Sequence, residues 1–363
     1  MALAPIPQPV VSPLTRDAVF LVMVVEPGRE SEARDALADV SGLVRAIGMR
    51  SLEDGLTCVA GVGAEFWDRA YTGPRPAGLH PFTPLQGAAH SAPATPGDLL
   101  FHIRARRMDL CFELAHRLGI RFRGIARIVD EVHGFRYWDA RDLLGFVDGT
   151  ENPQGTLAER FALTGTDADY PASSYVIVQK YAHDLDAWNG LSVEEQEAVF
   201  GRRKLSDIEI PDEQKAPNSH LALNVIEDAA GNERKILRDN MPFGSVAEGL
   251  YGTYFIGYAA DVTTTETMLE NMFIGKPPGN HDRVLDFSTA LTGGLFFVPS
   301  QDALDDPDLL DAPGPPDEPE AQAAGPESAP EPAPASSLGI GGLRGRPQLS
   351  GRTAQNLSEG GTP

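Results

Sequence analysis

The pattern of apolar and polar positions through the first half of the chain predicts strands alternating with helices. Residues 18–25 form an unbroken apolar run rich in Val, as a buried strand should. Pro27-Gly28 breaks the run. Ala33, Leu37, Val40 and Val44 then recur at intervals of 4, 3 and 4, one face of an amphipathic helix. Residues 56–62 give a second strand, followed by a short helical piece around Phe66 and Trp67. A Pro- and Gly-rich loop over 72–97 leads to a third strand at 98–104. Leu110, Leu114 and Leu118 align along a helix over 108–118, and residues 124–132 complete four strands.

The second half repeats the plan. Strands are expected at 174–181, 220–226, 235–238, 251–258 and 294–298. The strands holding His220 and Arg238 are joined across a polar turn containing Gly231. Ser192, with Glu195 three residues later, makes a capping box for a helix over 193–200, and a second helix is expected over 264–274. The first half thus reads β-α-β-β-α-β, and the second repeats that order with one further strand between its helices. The fold class that follows is α+β, two ferredoxin-like domains over 1–145 and 146–300, each an antiparallel sheet with helices on one face. The halves share little sequence identity, so the duplication rests on element order.

From Gln301 the character changes. Residues 301–335 hold ten carboxylates, nine prolines, no Lys or Arg and no aromatic residue. Such a stretch buries too little apolar area to offset its ordering entropy, so a disordered acidic linker is expected there. The remaining tail, 336–363, has three Arg and one Glu. The whole chain of 363 residues carries 30 Lys plus Arg against 52 Asp plus Glu, a formal charge of −22, of which −14 belongs to the first 300 residues. That balance leaves no room for a large basic face and argues against nucleic acid as a partner.

No apolar run approaches the ~20 residues needed to span a bilayer. Residues 1–15 carry no Lys or Arg, so no secretory signal is expected. The two cysteines, Cys58 and Cys111, sit far apart in apolar stretches, as buried free thiols of a reducing compartment do. A cytoplasmic protein is expected.

Familiar nucleotide, hydrolase and zinc motifs are absent, which leaves two unusual clusters. The first is Gly145-Phe146-Val147-Asp148-Gly149-Thr150-Glu151-Asn152-Pro153. Asp-Gly and Asn-Pro are turn formers, so an interdomain turn is its ordinary reading. A functional reading needs the Gly-flanked loop to hold Asp148 toward a pocket. The second runs from Asn218 to Gly244 and includes Ser219-His220-Leu221-Ala222-Leu223-Asn224 and Arg238-Asp239-Asn240-Met241-Pro242-Phe243-Gly244. A single His is more often structural than a ligand. With no C-x-x-C-H, covalent haem attachment is excluded, while non-covalent haem on one axial imidazole remains open.

Together these stretches resemble the dye-decolourising peroxidases of the compact bacterial type. Residues 145–153 resemble their G-x-x-D-G signature, 218–224 the segment of the proximal histidine, and 238–244 that of the distal arginine. Further similar stretches lie at 98–105, 131–135, 254–258 and 283–290, and the similarity covers roughly Gln8 to Val298. The resemblance implies two ferredoxin-like domains of the dimeric-α/β-barrel type and one non-covalent haem b per chain in the second.

It further implies His220 as the axial ligand to haem iron. Asp286 would be the carboxylate hydrogen-bonded to that histidine, and Asp148, Arg238 and Asn240 the distal polar groups. Hydrogen peroxide would be reduced through a ferryl haem while dyes, phenols or other one-electron donors are oxidised, and the chain would form homo-oligomers, as hexamers. Asp148 would shuttle the peroxide proton, and Arg238 would stabilise charge on the departing oxygen. Trp188, Tyr181 and Tyr258 are candidates for carrying electrons to the surface, with core packing as their ordinary role.

The tail reads Ser336-Ser337-Leu338-Gly339-Ile340-Gly341-Gly342-Leu343-Arg344-Gly345. A Gly-rich end with three stray apolar residues is the plain reading. The alternative is an extended peptide whose Leu338, Ile340 and Leu343 fill separate pockets. The segment from Ser337 to Arg346 also resembles the cargo-loading peptides that dock such peroxidases inside encapsulin shells. That implies an encapsulin shell protein as partner, a location within its nanocompartment, and residues 301–335 as tether. Two other classes of function compete: a haem-binding or haem-handling protein without sustained turnover, and a cofactor-free assembly protein. Asp148 and Arg238 favour turnover over the first, and His220 argues against the second.

Overall fold

The computed structural model describes residues 4–165 and 168–311. Its first half contains strand β1 (Asp17–Val25), helices α1 (Glu30–Ala38) and α2 (Val40–Gly48), β2 (Thr57–Gly63) and α3 (Ala64–Ala70). A small hairpin of β3 (Leu85–Gln86) and β4 (Ser91–Ala92) follows, then β5 (Leu99–Ala105), α4 (Met108–Arg121) and β6 (Ala126–Phe135). The second half runs through α5 (Thr156–Ala162), β7 (Ser174–His183), α6 (Leu185–Asn189), α7 (Val193–Phe200) and α8 (His220–Asn224). Short strands β8 (Ile226–Glu227), β9 (Glu233–Arg234) and β10 (Leu237–Arg238) lead to β11 (Met241–Ser245) and β12 (Leu250–Ala259). Helix α9 (Val262–Phe273), β13 (Ser288–Ala290), β14 (Gly294–Val298) and α10 (Gln301–Asp305) complete it.

The strands of each half take the same order. The first half lies as β6-β1-β5-β2, its fourth, first, third and second long strands in turn. The second continues the same antiparallel sheet as β14-β7-β12-β10, again fourth, first, third and second, with β11 also pairing β12. The fold is therefore α+β with a duplicated ferredoxin-like plan, joined where Phe296 and Phe297 of β14 meet Gly63 and Val62 of β2.

The sheet curls until β11 lies against β6. At that closure a Cβ on Gly134 would stand 2.4 Å from Cβ of Met241, so only glycine permits the approach. Curling explains the unbroken apolar run of β1. Val19, Leu21 and Met23 pack under the helices, while Ala18, Phe20 and Val22 face a second core enclosed by the strands. Both faces are dry, so the polar alternation of a half-exposed strand is missing. Inside, Phe20 stacks on Tyr254 at 4.2 Å and on His102 at 4.7 Å between ring centroids.

Two expectations need correction. The segment 220–224 is a short helix, not a strand: the buried Ser219 hydroxyl accepts from Ala222 N–H and starts it. Acidic residues 301–311 are not a disordered linker either. Ser300 caps α10, Leu304 and Leu310 are buried, and Arg34 forms ion pairs of 2.8 and 2.7 Å with Asp308 and Asp311. Two leucines and one arginine supply the anchorage that composition averages conceal. The rest of the expected linker, and the peptide from Ser337 to Arg346, lie outside the described residues.

Candidate active site

A cavity of about 470 Å³ opens among β7, β12, α8, α9 and the loop over 142–151. Its wall is largely apolar, with Phe146, Phe200, Phe255, Met268, Leu269 and Met272. Four of the five residues singled out from the sequence also line it: His220, Asp148, Arg238 and Asn240. Asp286 does not.

His220 begins α8. Its Nδ1 lies 2.6 Å from Oδ2 of Asp282, a fully buried carboxylate. An ionised carboxylate only accepts, so Nδ1 carries the proton and Nε2 keeps its lone pair. Among the described residues Nε2 has no hydrogen-bonding partner, on a side chain that lines the cavity. Asp282 is itself fixed: Oδ1 accepts from Val284 N–H at 2.9 Å, and its own N–H donates to Met272 at 2.9 Å. Asn224 Nδ2 donates back to the carbonyl of His220 at 2.7 Å.

Asp286 therefore loses the part expected of it. It stands at the far end of the short 3₁₀ turn that Asp282 caps, where Oδ1 lies 3.0 Å from Nε2 of both His90 and His281. Within Asp282-Arg283-Val284-Leu285-Asp286, resemblance pointed to the wrong carboxylate. The available signal was position: Asp282 precedes the turn and can cap it facing inward, whereas Asp286 exits toward solvent.

Asp148 sits on a loop pinned by backbone bonds, with its N–H donating to the Ala140 carbonyl at 2.9 Å. Gly145 and Gly149, at φ of 92° and 84°, turn the chain in and out. Asn240 donates from Nδ2 to Oδ1 of Asp148 at 3.3 Å, while its own Oδ1 accepts from Ile256 N–H at 3.1 Å. The second bond aims the amide. Burial raises the pKa of Asp148, and the Arg238 cation and the Asn240 hydrogen bond draw it back down.

Sequence reasoning missed Asn152, which clamps the backbone of Arg238 from both sides. Arg238 N–H donates to Oδ1 at 3.0 Å, and Nδ2 donates to the Arg238 carbonyl at 2.6 Å. The loop that carries Asp148 thus positions the strand that carries Arg238. Two further titratable residues on the wall were missed. Asp142 is pushed up to about 7, chiefly by burial, and His183 is pushed down to about 4 by burial. Both ring nitrogens of His183 are held, by Ser288 and Thr253 hydroxyls at 2.8 and 2.9 Å.

The aromatic candidates are all interior. Trp188 donates to the Leu144 carbonyl at 2.9 Å, Tyr181 to Gln179 at 2.7 Å, and Tyr258 faces His102 in the strand-enclosed core at 2.9 Å. None reaches the surface.

Residues 7–136 match the model of the Dyp-type peroxidase N-terminal domain, and residues 139–303 that of its C-terminal domain. The chain belongs to the Dyp-type peroxidase family. A dye-decolorizing peroxidase of Brevibacterium linens is 62% identical over 357 residues, covering 94% of this chain and 97% of the relative. The cryo-EM structure of the encapsulated DyP-type peroxidase from Mycobacterium smegmatis superposes with a TM-score of 0.82 at 60% identity, over 84% of this chain and 99% of that one. A variant of the DypB protein of Rhodococcus jostii RHA1, solved in complex with haem, superposes at 0.81 with 55% identity over 84% and 99%. Against these Dyp-type peroxidases the chain is matched along nearly its whole described length.

Proposed function

We infer that this chain is a haem-dependent peroxidase that reduces hydrogen peroxide at the expense of dyes, phenols or other one-electron donors. One observation carries the reading. A histidine held by a buried carboxylate, with no partner on its Nε2 among the described residues, lines the same cavity as Asp148, Arg238 and Asn240. The residues fit a haem. The cavity falls in the range of cofactor sites, its wall is apolar, and Arg202, Arg234 and Lys235 supply cations for the two carboxylates such a ring carries.

When bound, haem supplies the iron that accepts oxidising equivalents from peroxide and passes them on one electron at a time. His220 would hold the iron through Nε2, with Asp282 fixing its tautomer and raising its basicity. The ionised carboxylate of Asp148 takes a proton from peroxide and returns it to the oxygen that leaves as water. Arg238, always cationic, would stabilise negative charge on that oxygen and counteracts the rise that burial causes in the Asp148 pKa. Asn240 fixes the carboxylate through Oδ1. Mere haem storage would need neither Asp148 nor Arg238 at the cavity wall.

The encapsulated relative supports a second part of the reading, packaging inside an encapsulin shell. The match to the Brevibacterium linens relative, at 94% of this chain, is too long to end within the first 311 residues, so it takes in part of the tail. We assign shell docking to the segment from Ser337 to Arg346 and the tether to the residues before it, and carry over hexameric assembly with the family. Among the described residues no helix is long and apolar enough to cross a membrane.

Haem titration tests the enzyme reading. The wild type should bind one haem per chain with a sharp Soret band, and His220→Ala should lose it or bind haem without an axial imidazole. Identical binding in both would remove His220 from the site. Co-expression with the shell tests the tail: deleting residues 337–346 should abolish packaging and leave peroxidase turnover intact.

A further inference from the structure

Outside the cavity, three ligand-type side chains converge. His90 ends the turn between β3 and β4, where Gly87 N–H donates to the His90 carbonyl at 2.9 Å. His281 precedes the proximal carboxylate Asp282, and Asp286 closes the 3₁₀ turn after it. Nε2 of His90 and Nε2 of His281 each lie 3.0 Å from the same oxygen, Oδ1 of Asp286. One ligand atom from each residue lies within 4.8 Å of the other two. The two rings meet edge to face with centroids 4.7 Å apart.

We propose that His90, His281 and Asp286 bind a divalent transition-metal ion of the zinc class, at a site separate from the haem cavity. Two imidazoles and one carboxylate are the donor set that borderline ions prefer over calcium or magnesium. Donors bound to such an ion at about 2.0–2.1 Å stand about 3.0–3.4 Å from one another. The two histidine–carboxylate spacings already match, so binding replaces the two Nε2···Oδ1 contacts with bonds to the ion, each ring then carrying its proton on Nδ1, with little movement of the chain.

Asp286 is 38% exposed at its side chain, which leaves the remaining coordination positions to water. Neither Nδ1 has a hydrogen-bonding partner among the described residues. Without that outer support the affinity is moderate, micromolar and not the far tighter binding of a structural zinc. The consequence is local. The ion would tie the β3–β4 turn to the 3₁₀ turn whose first residue, Asp282, holds His220.

Calorimetric titration of the chelator-treated, haem-loaded full chain with zinc chloride tests this. One zinc per chain is expected with micromolar affinity. His90→Gln, His281→Gln and Asp286→Asn should each weaken it at least tenfold, with the circular dichroism spectrum unchanged as the check on folding. Glu209→Gln, which changes a carboxylate on the cavity wall, should leave zinc affinity as it is. Zinc affinity that falls in Glu209→Gln and survives in His90→Gln would place the ion at the cavity and overturn the proposal. So would wild type that takes up no zinc at millimolar concentration. Because zinc uptake is read directly, failure here leaves the haem reading standing.

Discussion

Asp282 Oδ2 and His220 Nδ1 lie 2.6 Å apart, the shortest link in the chain of contacts that leads from the 3₁₀ turn to the cavity. The pair fixes Nδ1 and leaves Nε2 as the nitrogen that would hold the proposed haem. Asp282→Asn removes the charge that makes the imidazole a stronger ligand. Peroxidase kcat/KM should fall by about 10–100-fold, the usual cost of losing such an outer partner. Steady-state kinetics of the haem-loaded variant check it. A loss on Asp286→Asn, with none on Asp282→Asn, would return the role to Asp286.

The pH profile follows from the surroundings of Asp148. In the proposed mechanism the ionised Asp148 carboxylate takes the peroxide proton, so the rate of reaction with peroxide should rise with pH through the Asp148 pKa. Burial sets that pKa above the ordinary carboxylate value, and Arg238 counteracts the rise. Removing the cation in Arg238→Leu lets the pKa climb, and the acid limb should move to higher pH by about one unit or more. Asn240→Ala removes one hydrogen bond and should move it less, in the same direction. Stopped-flow rates against pH decide. An acid limb that stays in place in Arg238→Leu would detach Asp148 from it.

Asn152 joins the two polar segments of the site, so its loss should be felt in both stability and rate. Asn152→Ala leaves the Arg238 N–H and carbonyl without their partners, at a cost of about 1–3 kcal/mol. Urea denaturation measures the first effect. A fall in kcat/KM at unchanged haem affinity reports the second, because the displaced group is Arg238 and not His220. Wild-type stability together with wild-type kinetics would show that the clamp does nothing.

Behind the same strand, Asp239 turns into the strand-enclosed core while its neighbours Arg238 and Asn240 face the cavity. There it meets the fully buried Arg104 at 2.7 Å. Removing one member of such a pair strands the other charge in a dry interior. Arg104→Met should therefore destabilise the fold by about 3–5 kcal/mol, measured by denaturant unfolding. A change below about 1 kcal/mol would show that the site is wet or that Asp239 finds another partner.

What the sequence allowed to be read was the periodic part of the fold. Residues 18–25 and 294–298 lie in strands buried on both faces, so their apolar runs were long or dense enough to stand out. The capping box at Ser192 and Glu195 was legible because it is local. Segment 220–224 was not, since five residues are too few to separate strand from helix by period, and the buried cap at Ser219 carried the answer. The site was legible as residue types tied to a known family. Its geometry was not: the choice of Asp282 over Asp286, and the clamp by Asn152, depend on contacts across 62 and 86 residues of chain.

The most direct test is the visible spectrum of the haem-loaded protein before and after one equivalent of hydrogen peroxide, followed by a reducing dye. A rapid spectral change on peroxide that the dye reverses, over repeated cycles, is the predicted result, and Arg238→Leu should slow the first phase far more than it weakens haem binding. A Soret band indifferent to peroxide would contradict the account and leave a haem-binding protein without turnover.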